Sequence, residues 1–381
     1  MRGNSRSTRA RKELESTSEN RPGDALLLLH SREKMKSSIP HIVLTGSSGF
    51  LGQYVLHSLV HYPLSILQQP KPPGLVIHAL YGGKVEEFPQ AVQAMVQEAS
   101  NNVQVQVHKV DLTNDTDVQT WLDQFGSKVD VCIHTAAISN PGACQADPEK
   151  ARALNIPKTF LKGLAQHKVT VIGLSTDHVY DGTQKAGQAY KETDQVNPIN
   201  MYGQTKVELE EFLLNDNNSN NNILLRSSII SGPKAPILGE EAHATFLHFC
   251  QTRENQETTF YTDEIRSIVA VDNVVQVVRW FSSQLLQEQK IGGVYNMGGP
   301  DRVSRYDMAQ AVFEYFGYTQ DKLIATEKSS MPPQAVQSPL DIAMNSSKLY
   351  ELTKDSINWK GVKDIVKWTF EGDTTCSAAT K

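Results

Sequence analysis

The stretch HIVLTGSSGFLGQYVLHSL, residues 41–59, decides how the rest of the chain is read. Residues 41–44 form a short apolar run, Gly46, Gly49 and Gly52 follow at three-residue spacing, and residues 53–60 continue as a helical pattern. A glycine turn between a strand and a helix lets backbone N–H groups come close to a pyrophosphate, which then sits at the positive end of the helix dipole. Gly46, Ser48, Gly49, Phe50, Leu51 and Gly52 are therefore the first candidate cofactor-binding residues, with Phe50 and Leu51 expected to pack inward.

Outward from that turn, short apolar runs alternate with helical stretches. Strands are expected at 41–44, 75–80, 103–107, 129–134, 169–175 and 223–226, with helices between them near Asp115, Lys150 and Tyr202. This alternation predicts an α/β fold with a doubly wound parallel sheet, a Rossmann arrangement of six strands. Residues 103–108, VQVQVH, alternate valine with polar side chains, whereas the other runs are continuously apolar. Only an edge strand tolerates one wet face, and the third strand is an edge in the order 3-2-1-4-5-6.

The expected organisation is a leader at 1–38 without apolar periodicity, a dinucleotide-binding domain at 39–232, a smaller C-terminal substrate-binding lobe at 233–372 that also carries segments completing the sheet, and a disordered tail at 373–381. The asparagine-rich run 215–222 reads as a surface loop with no part in the core. Hydrophobic residues make up 39% of the 381 and charged residues 21%, enough to bury a sizeable core. With 37 basic against 42 acidic residues, the net charge of -5 offers no attraction to phosphate backbones or anionic membranes, so nucleic acid and membrane are not expected partners. Cys132, Cys144, Cys250 and Cys376 show no metal or redox spacing, which fits a reducing, cytoplasmic setting. No metal is expected.

Three further features belong to the dinucleotide. The end of the second strand, HALYGGKVEEF, presents no carboxylate to grip both ribose hydroxyls, while His78 and Lys84 lie near, so NADP is favoured over NAD. Asp111 and Leu112 could meet the adenine edge, although Asp111 beside Thr113 equally suits a helix cap. Thr135, Ala136 and Ala137 end the fourth strand, where small residues would let the cofactor lie against the backbone; His134 before them reads as structural.

Y-x-x-x-K places a phenol and an ammonium one helical turn apart, and the lysine field favours phenolate, as carbonyl reduction needs of its acid-base group. The pattern occurs three times, at Tyr202/Lys206, Tyr318/Lys322 and Tyr350/Lys354. Only Tyr202 follows a strand ending in Ser175-Thr176-Asp177 and opens a helix with an apolar face of Leu209, Phe212 and Leu213. Tyr202, Lys206 and Thr176 are thus the candidate catalytic set, Thr176 bonding the substrate carbonyl as charge develops on its oxygen. Tyr318 and Tyr350 read as surface helix residues.

The segments LSTDHVYDG, MYGQTKVELE, LRSSIISGP, NMGGPDRVSRYDMAQAV and SPLDIAMNSSKL resemble the dTDP-4-dehydrorhamnose reductase family of extended short-chain dehydrogenases, over about residues 40–370. The resemblance implies reduction of a 4-keto group on a nucleotide-linked deoxysugar by NAD(P)H, Tyr202 supplying the proton and Lys206 anchoring the ribose. It implies Ser139, Asp177 and His178 as substrate contacts. Arg266 is the candidate for the substrate diphosphate, since a guanidinium binds phosphate in bidentate fashion, with an exposed surface arginine as the alternative. The bacterial reductases carry Tyr where His178 stands and Trp where Ile229 stands, which removes a stacking surface for the sugar. The family also includes the regulatory beta subunit of methionine adenosyltransferase, which is similar over the same motifs; on that branch the chain would bind NADP and partner a methionine adenosyltransferase catalytic subunit instead of reducing a sugar.

Overall fold

The computed structural model describes residues 39–372, apart from 63, 65–73, 84, 100–101, 186, 216–220 and 240–244. The expected leader at 1–38 and tail at 373–381 lie outside the described residues.

Seven parallel strands form the central sheet. They are β1 (His41–Thr45), β2 (Leu75–Tyr81), β3 (Val103–Lys109), β4 (Val131–His134), β5 (Thr170–Thr176), β6 (Ile223–Ser227) and β7 (Gly293–Met297), in the order β7-β6-β5-β4-β1-β2-β3. The six strands read from the sequence are all present, and the seventh comes from the C-terminal part of the chain to pair with β6. The edge position of β3 accounts for its pattern: Val103 is buried, Gln104 and Gln106 are exposed. The chain reverses direction across the sheet between β1 and β4, both of which end at one lip, β1 running into Gly46 and β4 into Thr135. In open α/β sheets that crevice is where ligands bind.

Alternate side chains of each strand feed two cores. Ile42 and Leu44 of β1 point to one face, beneath α1 (Phe50–His61), α2 (Phe88–Ala99) and α6 (Val271–Leu286). Val43 points to the other, beneath α3 (Asp115–Phe125), α4 (Lys158–Gln166) and α5 (Met201–Leu214). Helices α3 and α5 start at side-chain caps: Asn114 accepts from the backbone N–H groups of Thr116 and Asp117, and Asn200 from that of Gly203.

The C-terminal part of the chain contributes a separate hydrophobic core, in which Leu247, Phe260, Met308, Val312 and Phe313 meet Ile365. It is built around α7 (Arg305–Phe316), capped by Ser304 and Asp307, and α8 (Val362–Glu371). One sequence expectation is corrected at the asparagine-rich run. Asn222 is buried, with its side chain accepting from Val171 N at 2.9 Å and donating to Leu213 O at 2.9 Å, so the end of that run clamps the strand β5 to helix α5.

Candidate active site

A cavity of about 550 Å³ opens at the β1/β4 switch point and runs from the glycine turn to the start of α5. Gly46, Gly49, Phe50, Leu51 and Gly52 line one end; Thr135, Ala137 and Ser139 the floor; Thr176, Asp177, His178, Tyr202 and Lys206 the other end. The turn is glycine for two physical reasons. Gly46 has φ of +67°, and a Cβ there would sit 2.7 Å from Ala136 N. A Cβ on Gly52 would come 2.0 Å from Gly46 O, so the helix could not start so close beneath the turn. The result is a bare backbone cradle at the N-terminus of α1, which fits a dinucleotide diphosphate.

The opposite end is set by α5. Tyr202 and Lys206 lie one turn apart, and the Lys206 ammonium donates to Leu174 O at 2.8 Å, which fixes it against β5. Burial pulls the Lys206 pKa down to about 8. Burial also pushes the Tyr202 phenol above its ordinary value, opposed by the Thr176 hydroxyl, so Tyr202 is protonated at neutral pH. Two sets of buried links hold the helix in place, and a third ties β1 to β4. Glu210 pairs with Arg226 of β6 at 2.7 Å and accepts from Ser175 of β5; Asn155 donates to Thr205 Oγ1 at 2.8 Å; and Thr45 Oγ1 lies 2.8 Å from His134 Nδ1 beneath the floor. His134 is buried and held neutral, its pKa lowered to about 3 by burial and by the Lys206 charge, which gives it a structural place between β1 and β4.

The part of the cavity around Asp177 and His178 is assembled from longer-range contacts. Asp177 is buried and accepts from Ser228 Oγ at 2.7 Å and Thr176 Oγ1 at 3.2 Å. His178 stands edge-on to Tyr202, with ring centroids 5.7 Å apart. Arg266 requires a correction: it is fully buried, and its guanidinium donates to the carbonyls of Ile265, Pro339 and Leu340, to Ser338 Oγ and to Glu264. A side chain so enclosed cannot reach a diphosphate in the cavity. The arginine that lines the cavity is Arg305, held by Glu264 at 3.0 Å. Arg305, Ser227, Ser228 and Ser338 were not singled out from the sequence; the polar pair in LRSSII and the cap before Arg305 were the available signals.

Other expected residues fall elsewhere. Ser48, Ala136, Asp111 and Leu112 are not among the lining residues. Asp111 accepts from the Thr113 backbone and hydroxyl at 2.9 and 2.7 Å, a local turn, and Leu112 is buried in the core. His78 does not face a ribose: it is buried within the sheet, bridging His41 Nδ1 at 3.0 Å and His108 Nε2 at 3.2 Å. Lys84 lies outside the described residues. Neither spare Tyr-x-x-x-Lys pair behaves as a surface helix pair. Tyr318 follows the left-handed cap at Gly317 and packs on Phe313 and Phe316, while Tyr350 donates to Gly298 O at 2.7 Å and packs on Trp359. Among the described residues no group of three His, Cys, Asp or Glu side chains is placed to hold a metal, and no helix is long and apolar enough to cross a membrane.

Residues 77–369 match the sequence model of the RmlD substrate binding domain. Methionine adenosyltransferase 2 subunit beta of Xenopus tropicalis is 27% identical over 227 residues, which is 59% of this chain and 65% of that protein; the match thus spans just under two thirds of that relative's length. A dTDP-4-dehydrorhamnose reductase of Aggregatibacter actinomycetemcomitans is 28% identical over 209 residues, 54% of this chain and 67% of that protein. Among solved structures, the dTDP-4-dehydrorhamnose reductase of Bacillus anthracis in complex with NADP superposes with a TM-score of 0.61 at 16% identity, covering 87% of this chain and 98% of that one, a likeness of fold.

Proposed function

The chain belongs to the RmlD substrate-binding-domain family, and on that premise we propose that it is an NADP(H)-dependent reductase of a 4-keto group on a nucleotide-linked deoxysugar. The observation that carries this reading is the single cavity in which the glycine cradle faces Thr176, Tyr202 and Lys206. The preference for NADP rests on Gly82 and Gly83 after β2, where a carboxylate for the ribose diol is missing. When bound, the reduced nicotinamide supplies the two electrons and one hydrogen for the carbonyl carbon.

The chain's own residues supply the rest. Gly46, Gly49 and Gly52 accommodate the diphosphate, and Lys206 donates to the ribose while its charge favours the phenolate that Tyr202 becomes. Tyr202 gives its proton to the carbonyl oxygen, completing the alcohol; the Thr176 hydroxyl, its single hydrogen turned from Asp177 to the substrate, donates a hydrogen bond to that oxygen as it gains charge. Arg305 is the guanidinium available to the substrate diphosphate. Loss of NADPH absorbance on adding dTDP-4-dehydrorhamnose, abolished in Tyr202→Phe, tests the reading; an intact protein that leaves NADPH unchanged contradicts it.

A second reading is supported by the methionine adenosyltransferase beta relative and by Ile229 at the cavity wall, where no aromatic ring is offered to a sugar. On that reading the chain holds its dinucleotide as a regulatory partner of a methionine adenosyltransferase catalytic subunit. Silence in the reductase assay, together with a stable complex with that subunit on gel filtration, selects it.

A further inference from the structure

Asn200 sits where three structures meet: the N-terminus of α5, the segment around Gln337, and the turn after β5. Its carboxamide has one acceptor and two donor hydrogens. The oxygen accepts from the Gly203 backbone N–H at 2.9 Å, and one N–H donates to the Gln337 backbone carbonyl at 3.0 Å. Neither backbone group can change its role, so the amide cannot be turned round. Its remaining N–H lies 3.0 Å from His178 Nδ1, which must therefore be the acceptor. A neutral imidazole that accepts at Nδ1 carries its hydrogen on Nε2.

That Nε2 has no protein partner among the described residues and is not sealed from solvent, and the ring lines the cavity beside Tyr202. We propose that His178 is an uncharged hydrogen-bond donor that orients the sugar of the bound nucleotide, through Nε2–H to one of its oxygens, with Asn200 as the residue that sets its tautomer. This deepens the reductase reading and rests on it for the identity of the ligand. Charge on His178 is opposed first by burial and also by Arg266 and Arg305, against the pull of Asp177 and Glu264, so that its pKa falls to about 4. An imidazolium would also set an N–H against the N–H of Asn200. His178 thus neither takes nor gives a proton at neutral pH; it selects ligands that offer an oxygen lone pair next to the reacting carbon.

The test combines nitrogen-15 spectra of the histidine rings with calorimetric binding of dTDP-4-dehydrorhamnose in the presence of NADP⁺, which cannot reduce it. Wild type is expected to show His178 as the Nε2–H tautomer, unchanged from pH 5.5 to 8. His178→Phe is expected to weaken sugar-nucleotide binding about 3- to 10-fold, the worth of one hydrogen bond, and His178→Gln, whose amide N–H reaches a similar point, to restore most of it. NADP⁺ affinity should stay the same in all three, which also reports an intact fold. An Nδ1–H tautomer, a ring that titrates within that range, His178→Phe binding as tightly as wild type, or a wild type with no affinity for the sugar nucleotide each overturns the proposal. Binding that depends on His178 without NADPH oxidation would instead refute the reductase reading and leave the donor assignment standing.

Discussion

Two sets of groups around the cavity are built by different means. The set proposed for the cofactor is backbone and regular structure: a glycine turn on β1, the N-terminus of α1, and a tyrosine-lysine pair one turn apart on α5. The set proposed for the substrate is a mesh of buried polar side chains from distant parts of the chain, in which Glu264 holds Arg305, Arg266 and Lys328, and Asn200 ties His178 to Gln337. The first kind of construction tolerates change in the surrounding sequence as long as the turn and helix remain. The second depends on every member, since a buried charge without its partner is costly.

The largest effect expected belongs to the set proposed for the cofactor. Tyr202→Phe should lower the reduction rate roughly 10²- to 10⁴-fold, the range for removal of a positioned general acid, while NADPH still binds; steady-state rates alongside NADPH fluorescence titration check this. Equal loss of both would mean that the phenol holds the fold and not the proton.

The next concerns the joint between the two constructions. Arg226→Ala leaves Glu210 buried without its 2.7 Å partner, and the expected cost is about 3–5 kcal/mol in denaturant unfolding. A change near zero would show that α5 does not rely on this pair.

A smaller effect, sharper in what it distinguishes, is expected at Glu264. Burial pushes its carboxyl up, but Arg266, Arg305 and Lys328 overcome this and hold it down to about 2, against an ordinary 4.5. A depressed folded value means that its stabilising share is complete above about pH 4.5 and fades as pH falls towards 2. Glu264→Gln should therefore unfold more easily than wild type at neutral pH, and the gap should close over that acid window. The same variant should raise KM for the sugar nucleotide with NADPH affinity unchanged, because Arg305 loses its anchor. A parallel loss of NADPH affinity would erase the distinction between the two sets.

The same division explains what could be read without coordinates. Six of the seven strands follow from apolar periodicity, which acts over a few residues, and the edge position of β3 from its alternation together with the doubly wound strand order; β7 comes from the C-terminal part of the chain and has no such local signal. The glycine turn and the choice of Tyr202 over its two look-alikes also rest on local context, strand before and helix after. Arg266 and Arg305 could not be told apart in this way: both are arginines in the lobe, and which one reaches the cavity depends on carbonyls around residues 339 and 340, far away in sequence. The role of Asn222 is hidden in the sequence because its neighbours are a polar run, while its own side chain closes a gap between β5 and α5. Tyr350 looked like a surface residue because its acceptor, Gly298 O, comes from another element.

In the proposed reading Lys206 faces a dinucleotide that lies across the sheet from the glycine turn. Titrating NADPH into wild type, Lys206→Met and Lys322→Met tests this most directly, since Lys322 occupies the same motif on the lobe. The prediction is a loss of about 10-fold or more in affinity for Lys206→Met, as expected for a charge-assisted hydrogen bond, with Lys322→Met equal to wild type and the wild-type affinity itself falling as pH rises through about 8, where the buried ammonium loses its proton. Equal affinity in all three proteins, unchanged with pH, would contradict it.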